Sequence, residues 1–306
     1  MELYKLHTDT DLGNPVLVVA LEGWVDAGLA AATAVTTLLE SVETDLYASF
    51  ATDELLDQRA RRPIARITDG LVTELRWPEI KLLFGKDHQG RTVALLIGVE
   101  PDYHWRSFID AVIELTTTIR ARLVVGLGAF PAPVPHTRPV KLVATSSPGA
   151  ADLANQVGFV HGSMDVAAGI YSALEAAYSD MGIPSLGLWA RVPHYVANMP
   201  YPAASLTLLE TLSSLTGLEI DVSSLRSAAE ETSKRIDELI SKSEDHLTMV
   251  RRLEEALDTL EEQSEEPTTS AGLGMDHIPS GDEIAAELER FLRGDGLGGG
   301  EDPTSV

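Results

Sequence analysis

The chain has 306 residues, 44% of them hydrophobic, which is enough for one large globular domain and an appendage. Its formal net charge of -24 argues against binding to nucleic acid or to anionic membranes, and its lack of cysteine excludes disulfides, thiolate metal sites and cysteine nucleophiles. No apolar run is long enough for a signal peptide or a membrane span, so we expect a cytoplasmic protein.

Apolar runs alternate with helical patterns through the first two thirds of the chain. Strands covered on both faces are predicted from continuous apolar runs at residues 15–21, 92–99 and 122–129, and a further strand from residues 185–192. Helical spacing of apolar residues follows these strands, at residues 27–42, 105–121, 169–181 and from Pro202 onward. This alternation predicts one α/β domain over residues 1–217.

A hairpin is predicted within residues 64–84, where two or three strands surround the turn dipeptide Asp69-Gly70. We expect this hairpin to extend the main sheet. Just before it lies the densest basic cluster of the chain, Arg59, Arg61 and Arg62, which a solvated loop explains as well as a bound ligand does.

Polar and aromatic side chains follow the predicted strands at the point where each strand ends. The candidate pocket residues are Glu22, Trp24, Asp26, Glu100, Asp102, His104, His136, Arg138, His194 and Asn198. Parallel strands deliver their carboxyl ends to one edge of a sheet, so these groups could converge. A carboxylate and a histidine could then act as base and acid while Arg138 holds an anionic substrate.

The alternative is that these residues cap helices and cover the core, as Asp26 would at the start of the helix over residues 27–42. The sequence contains no glycine-rich phosphate loop of specific spacing, no HExxH pair and no GxSxG elbow. No metal or cofactor is therefore expected.

The character of the chain changes after Gly217. Residues 221–306 carry 22 Asp and Glu against 8 Lys and Arg, a net charge of -14. Apolar residues then recur at alternating spacings of four and three, which predicts one long acidic helix over residues 218–263 whose seam needs partners. The seam is polar at Ser243 and His246, so the alternatives are that it packs on two separate surfaces or bends back on the body. A linker is predicted over residues 264–279, a short amphipathic helix over 280–293 and a disordered tail over 294–306.

Four stretches together resemble the proteasome assembly chaperone 2 family, in its uncharacterised bacterial branch, over roughly residues 1–215. They are GWVDAG from Gly23, GLGAFPAPVPHTRPV from Gly126, HGSMDVAAGIYSAL from His161 and VPHYVANMPYPAASLTLLETL from Val192. The resemblance implies a three-layer α/β/α sandwich of the phosphorylase/hydrolase-like type.

The resemblance also implies a protein-interaction role. Eukaryotic members hold proteasome α subunits and dock through a C-terminal motif of a hydrophobic residue, a tyrosine and any residue. This sequence ends Pro-Thr-Ser-Val and lacks that tyrosine, so we do not expect this mode of docking. We expect a non-enzymatic assembly factor that forms a homo-oligomer, with a trimer as our prediction and proteasome subunits as a possible partner. The alternative is a hydrolase or nucleoside-phosphorylase-like enzyme acting on a small anionic substrate.

Overall fold

The computed structural model describes residues 3–23, 25–159 and 162–265, and the side chains as far as residue 259. The strands are β1 (Tyr4–Leu6), β2 (Val16–Glu22), β3 (Thr44–Phe50), β4 (Ile64–Thr68), β5 (Leu71–Arg76), β6 (Ile80–Lys86), β7 (Thr92–Val99), β8 (Leu123–Ala132), β9 (Leu142–Ser146) and β10 (Ser185–Pro193). The α-helices are α1 (Ala30–Ser41), α2 (Thr52–Leu55), α3 (Trp105–Thr118), α4 (Ala151–Val157), α5 (Ile170–Asp180), α6 (Pro202–Thr216), α7 (Ser223–Ile240) and α8 (Glu244–Glu265).

Eight strands form one sheet in the order β1-β3-β6-β7-β2-β8-β10-β9. The four central strands, β7, β2, β8 and β10, run parallel to one another. The flanking pairs are antiparallel, at β1, β3 and β6 on one side and at β9 on the other. The continuous apolar runs in the sequence therefore correspond to central strands, which are covered on both faces.

Successive residues of β2 point into two different cores, one on each face of the sheet. Val16 and Val18 lie in a core shared with helices α1 and α6. Leu17 and Val19 lie in a second core shared with α3 and α5. This alternation follows from the two-residue period of a strand, and it confirms the predicted three-layer α/β/α fold.

The Asp69-Gly70 turn forms as predicted, but the placement of its hairpin was wrong. Asp69 has φ 50° and Gly70 has φ 82°, the pair of positive angles that a two-residue hairpin turn requires. Strands β4 and β5 pair only with each other in a separate two-stranded sheet, while β6 joins the main sheet. A turn dipeptide determines which strands pair locally, but it carries no information on whether the hairpin joins a larger sheet.

The acidic extension contains two helices, α7 and α8, where the heptad pattern predicted one. The break falls at residues 241–243, the polar part of the seam. Ser243 Oγ accepts a hydrogen bond from the backbone N–H of His246 at 3.4 Å, as an N-cap serine does, and thereby starts a new helix. Leu225, Ala229 and Ile236 of α7 are buried.

The predicted linker beyond residue 265, the short helix over 280–293 and the tail over 294–306 lie outside the described residues. In the part of the chain that the structure describes, no helix combines the length and the apolar character that crossing a bilayer requires.

Candidate functional site

The order of the central strands places the predicted site residues along one edge of the sheet. Glu100 and Asp102 follow β7, Asp26 follows β2, and the loops after β8 and β10 carry the histidines. Trp24, also a predicted site residue, lies outside the described residues. Contacts gather six of the nine remaining groups into two clusters and an isolated helix cap, and three lie outside them.

The first group, which we call the acidic cluster, consists of Glu22, Glu100, Asp102 and Arg61. The backbone N–H of Glu100 donates to the carbonyl oxygen of Glu22 at 2.6 Å, which holds the ends of β2 and β7 together. Asp102 accepts from Nε of Arg61 at 3.1 Å and also accepts the backbone N–H of Asp57.

Glu100 is the buried member of the acidic cluster, 7% exposed. Its Oε1 accepts the backbone N–H of Ile170 at 2.9 Å. The carboxylate thereby provides an acceptor for an N–H group in the first turn of α5 that has no partner within the helix. Burial raises the pKa of Glu100, while the Ile170 N–H and the charge of Arg61 act in the opposite direction.

Gly23 lies against the same cluster and explains part of the GWVDAG stretch. Its φ is +147°, and a Cβ added there would lie 2.9 Å from Nη2 of Arg61 and 2.9 Å from Cβ of Glu100. A glycine is therefore required for the backbone of this loop to approach Arg61 and Glu100.

Asp26 binds the start of the first helix, as predicted, although α1 begins at Ala30 and Leu29 holds its N-cap position. Its Oδ1 accepts the N–H of Ala31 at 2.8 Å and its Oδ2 accepts the N–H of Ala32 at 3.0 Å. Burial raises the pKa of Asp26, and these backbone donors oppose that shift. Both oxygens of this carboxylate are thus used by the start of α1.

His136 is the centre of the second group, which we call the histidine cluster. The hydroxyl of Tyr195 accepts the backbone N–H of His136 at 2.7 Å and lies 2.6 Å from its Nδ1. The carboxylate of Asp237 can only accept a hydrogen bond, so the ring proton lies on Nε2 and the neutral Nδ1 accepts the proton of the Tyr195 hydroxyl. Nε2 then donates to Oδ1 of Asp237 in α7 at 3.0 Å.

Arg138 belongs to the same cluster through helix α8. Its Nη2 lies 2.9 Å from Oδ2 of Asp258, and its Nη1 lies 3.6 Å from Oε1 of Glu254. The hydroxyl of Thr137 also donates to Glu254. The guanidinium that was predicted to hold an anionic substrate therefore holds the acidic extension instead.

A cleft opens beside Arg138, lined also by Tyr201 and Leu257. It encloses about 10 Å³, room for about one water molecule.

The three remaining predicted residues, His104, His194 and Asn198, are exposed. His104 precedes α3 with φ 57°, a left-handed conformation. The ring of His194 meets Tyr195 edge-on with centroids 5.3 Å apart. Among the described residues, no group of three His, Asp or Glu side chains is arranged to hold a metal ion.

Sequence reasoning missed the partners that hold these clusters together. Asp237 is 101 residues from His136, and Arg61 is 41 residues from Asp102. From the sequence, the basic cluster that includes Arg61 was explained by a solvated loop, and the acidic helix was predicted to use its heptad seam. Neither prediction included a contact with the strand ends. No local spacing relates such partners, because only the folded chain brings them together.

The family model described as the PAC2 family matches residues 20–240, more than half of the chain. This chain belongs to the PAC2 family. The proposed resemblance to the proteasome assembly chaperone 2 family is thereby confirmed. None of the curated protein sequences matches the chain.

Several solved structures of related proteins are similar to this one. A Mycobacterium tuberculosis protein of unknown function, Rv2714, is 35% identical, with 86% of this chain and 91% of that chain covered and a TM-score of 0.80. The proteasome-assembly chaperone homologue Rv2125 of Mycobacterium tuberculosis is 33% identical, with 77% and 99% covered and a TM-score of 0.71. A PAC2 family protein from Streptomyces avermitilis is 32% identical, with 77% and 99% covered and a TM-score of 0.68.

Proposed function

We propose that this protein is a non-enzymatic assembly factor that binds proteasome subunits in the cytoplasm. The proposal rests on one observation: the polar groups at the strand ends form hydrogen bonds or ion pairs with other residues of the chain. These groups are Asp26, Glu100, Asp102, His136 and Arg138. A catalytic acid, a base or an anion-binding arginine needs a face open to the substrate. The function therefore belongs to the outer surface of the protein.

Membership of the PAC2 family supports the same role. A relative named a proteasome-assembly chaperone homologue is 33% identical and matches 77% of this chain. That relative and this chain share the arrangement of strands and helices, with a TM-score of 0.71. An assembly role needs a stable scaffold with a large surface, which an eight-stranded sheet covered on both faces provides.

The test is to mix the purified chain with separately produced proteasome α subunits from the same cell and to record native mass spectra. We expect a complex of defined stoichiometry between this chain and α subunits. An unrelated acidic protein of similar size serves as the control for non-specific charge effects. Failure to bind either α or β subunits, alone or together, contradicts the proposal.

The rival hypothesis places a hydrolase or phosphorylase-like activity at the same strand ends. The double substitution Glu100→Gln with His194→Ala separates the two hypotheses. An assembly factor keeps its α-subunit complex after this change, because Glu100 is buried and His194 contributes a single side chain to the exposed surface. An enzyme loses turnover, measured as phosphate-dependent cleavage of nucleosides or as hydrolysis of acyl esters and amides.

A further inference from the structure

Helix α5 carries two buried polar atoms that have no hydrogen-bond partner among the described residues. They are the hydroxyl oxygen of Tyr171 and Oε1 of Glu175. The two residues are four positions apart on the helix, so their side chains are neighbours on one face. Leaving a buried polar atom without a partner is costly, and folded proteins retain few such atoms. This pair therefore indicates a place where a further polar group binds.

The sheet beneath α5 is built so that polar side chains converge at the same place. Gly187 of β10 pairs with Thr145 of β9. A Cβ added at Gly187 would lie 2.8 Å from Nε1 of Trp189 and 3.0 Å from Cε1 of Tyr171. The hydroxyl of Thr145 would lie closer still. The glycine lets these side chains lie directly on the backbone of the sheet, so a ligand that binds beside them must be small.

Two aromatic rings border this place, and one side of it faces solvent. The ring centroids of Tyr171 and Trp189 lie 6.2 Å apart with an angle of 65° between the planes. Nε1 of Trp189 donates to Oγ1 of Thr145 at 3.1 Å. Thr145 is exposed and Trp189 is only partly buried. A small ligand can therefore approach from the side of Thr145.

The charge of Glu175 indicates which kind of ligand fits. Burial raises the pKa of Glu175, and the nearby dipoles of Thr145, Gly187 and Tyr171 oppose this shift without cancelling it. Among the described residues, no lysine or arginine forms an ion pair with this carboxylate. A carboxylate can only accept hydrogen bonds, and its burial requires a compensating donor or positive charge. The fitting ligand is a small, positively charged hydrogen-bond donor.

We propose that Tyr171, Glu175, Thr145 and Trp189 form a binding site for a primary ammonium group, which we call the amine site. Oε1 of Glu175 accepts a hydrogen bond from the ammonium group, and the Tyr171 hydroxyl accepts another. The rings of Tyr171 and Trp189 stabilise the positive charge. The ammonium group belongs to a free small amine or to a lysine side chain of a partner protein. This proposal does not depend on the proposed assembly role.

Thermal unfolding of the full chain tests the proposal, with ammonium, methylammonium and butylammonium chloride compared with sodium chloride at equal ionic strength. The sodium salt is needed because a chain with a net charge of -24 attracts any cation. A ligand that binds only the folded chain raises Tm in a saturable manner. We expect the amines to raise Tm above the value in sodium chloride. We also expect them to change the fluorescence of Trp189, measured as the difference between wild type and Trp189→Phe.

A short neutral peptide with one lysine distinguishes the two sources of the ammonium group. Saturation by the peptide at lower concentration than by butylammonium supports a lysine of a partner protein. Saturation by butylammonium at lower concentration supports a free amine.

Two variants assign the binding to the amine site. We expect Glu175→Gln to weaken amine binding by about tenfold or more, because a hydrogen bond from a cation to a carboxylate is replaced by one to a neutral amide. Tyr171→Phe removes only the hydroxyl and should weaken binding by about threefold. Each variant removes a buried polar group that has no partner, so each should remain folded. The matched control is Asp180→Asn, a loss of charge at the end of the same helix, which should leave binding unchanged.

Three results overturn the proposal. The first is the absence of any effect of the amines beyond that of sodium chloride, which would mean that water alone meets the two polar atoms. The second is amine binding that Glu175→Gln does not weaken. The third is equal weakening by Asp180→Asn, which would show a general effect of net charge. None of these results bears on the binding of proteasome subunits, which is measured separately.

Discussion

Nε2 of His136 lies 3.0 Å from Oδ1 of Asp237, and this contact joins the loop after β8 to helix α7. The imidazole side chain is 2% exposed, whereas that of Asp237 is 58% exposed. We expect Asp237→Ala to lower the free energy of unfolding by about 1–3 kcal/mol, because it leaves a buried ring N–H unpaired. Urea denaturation measures the change, and hydrogen exchange should become faster in α7.

The control for that substitution is Glu238→Ala, which removes an exposed carboxylate from the next position of the same helix. The free energy of unfolding of the Asp237→Asn variant should lie between those of the two alanine variants, since its amide oxygen can still accept the hydrogen bond. Equal stability of the Asp237→Ala and Glu238→Ala variants would show that the contact does not hold α7.

Asp87 should make stability depend on pH in the acid range. Burial opposes its ionisation, but the backbone N–H groups of Glu219, Arg91 and Gln89 and the side chain of Arg91 outweigh burial and lower its pKa to about 2. A carboxylate whose pKa is lowered by folding stabilises the fold at pH values above its pKa in the unfolded chain. This contribution is lost as pH falls from about 4 through about 2.

The substitution Asp87→Asn tests this linkage. We expect it to reduce the free energy of unfolding by roughly 2 kcal/mol at pH 7, and we expect the difference from wild type to shrink below about pH 4. Urea midpoints across this pH range give the measurement. The exposed Asp53→Asn change is the control, and a difference that stays constant with pH would contradict the assignment.

Glu100 should show the opposite dependence on pH. Burial raises its pKa above the unfolded value, so the wild-type fold loses stability as pH rises through the unfolded pKa toward the raised one. Glu100→Gln keeps an oxygen that can accept the Ile170 N–H but carries no charge. We therefore expect this variant to gain stability relative to wild type as pH rises, in urea titrations at successive pH values.

Glu100→Ala provides the matched comparison, because it removes the acceptor as well as the charge. It should cost about 1–3 kcal/mol at every pH through the unpaired Ile170 N–H. If Glu100→Gln were as destabilising as Glu100→Ala, the charge of Glu100 and its Coulombic attraction to Arg61 would matter more than the hydrogen bond.

Leu29 holds a left-handed conformation immediately before α1, with φ 51° and ψ 36°. Its side chain is half exposed, so replacement by glycine loses little burial. We expect Leu29→Gly to raise the free energy of unfolding by about 1 kcal/mol, since glycine adopts this conformation without steric cost. Thermal melting compares it with Thr36→Gly inside α1, which should lower stability by roughly 0.5 kcal/mol. A loss of stability in both variants would contradict the explanation.

Gly128 in β8 allows the ring of Trp189 to lie directly on the sheet. A Cβ added at Gly128 would lie 2.3 Å from the Trp189 ring. Gly128→Ala should cost about 1–3 kcal/mol by forcing the indole aside. A second change, Trp189→Leu, should reduce this cost when it is combined with the first. Gly149→Ala, where the nearest atom lies at 3.4 Å, is the control and should have little effect in the same urea titrations.

The central strands and the hairpin turn could be predicted because their signals are local. β7 begins at Thr92 and ends at Val99, as its apolar run predicted, and the Asp69-Gly70 turn has the two positive φ angles that were expected. The separate position of that hairpin could not be predicted, because a strand pattern does not state which edge the strand joins. The polar middle of the seam left a bend open, but the sequence did not predict that α7 ends and α8 begins there, since the heptad spacing continues through Ser243.

The sequence by itself determined the α/β class and the identity of the residues at the strand ends, because the strand and helix periods are local, and the family resemblance implied the three layers. It also indicated that Asp26 binds the N-terminus of the first helix, although not that α1 begins only at Ala30. The pairing of His136 with Asp237, of Arg138 with Asp258 and of Arg61 with Asp102 was decided only by the tertiary structure. Each of these pairs joins residues far apart in the chain, so no periodicity relates them. The packing of helices α7 and α8, and the position of the loop with Arg61 beside Asp102, bring the partners within hydrogen-bonding distance.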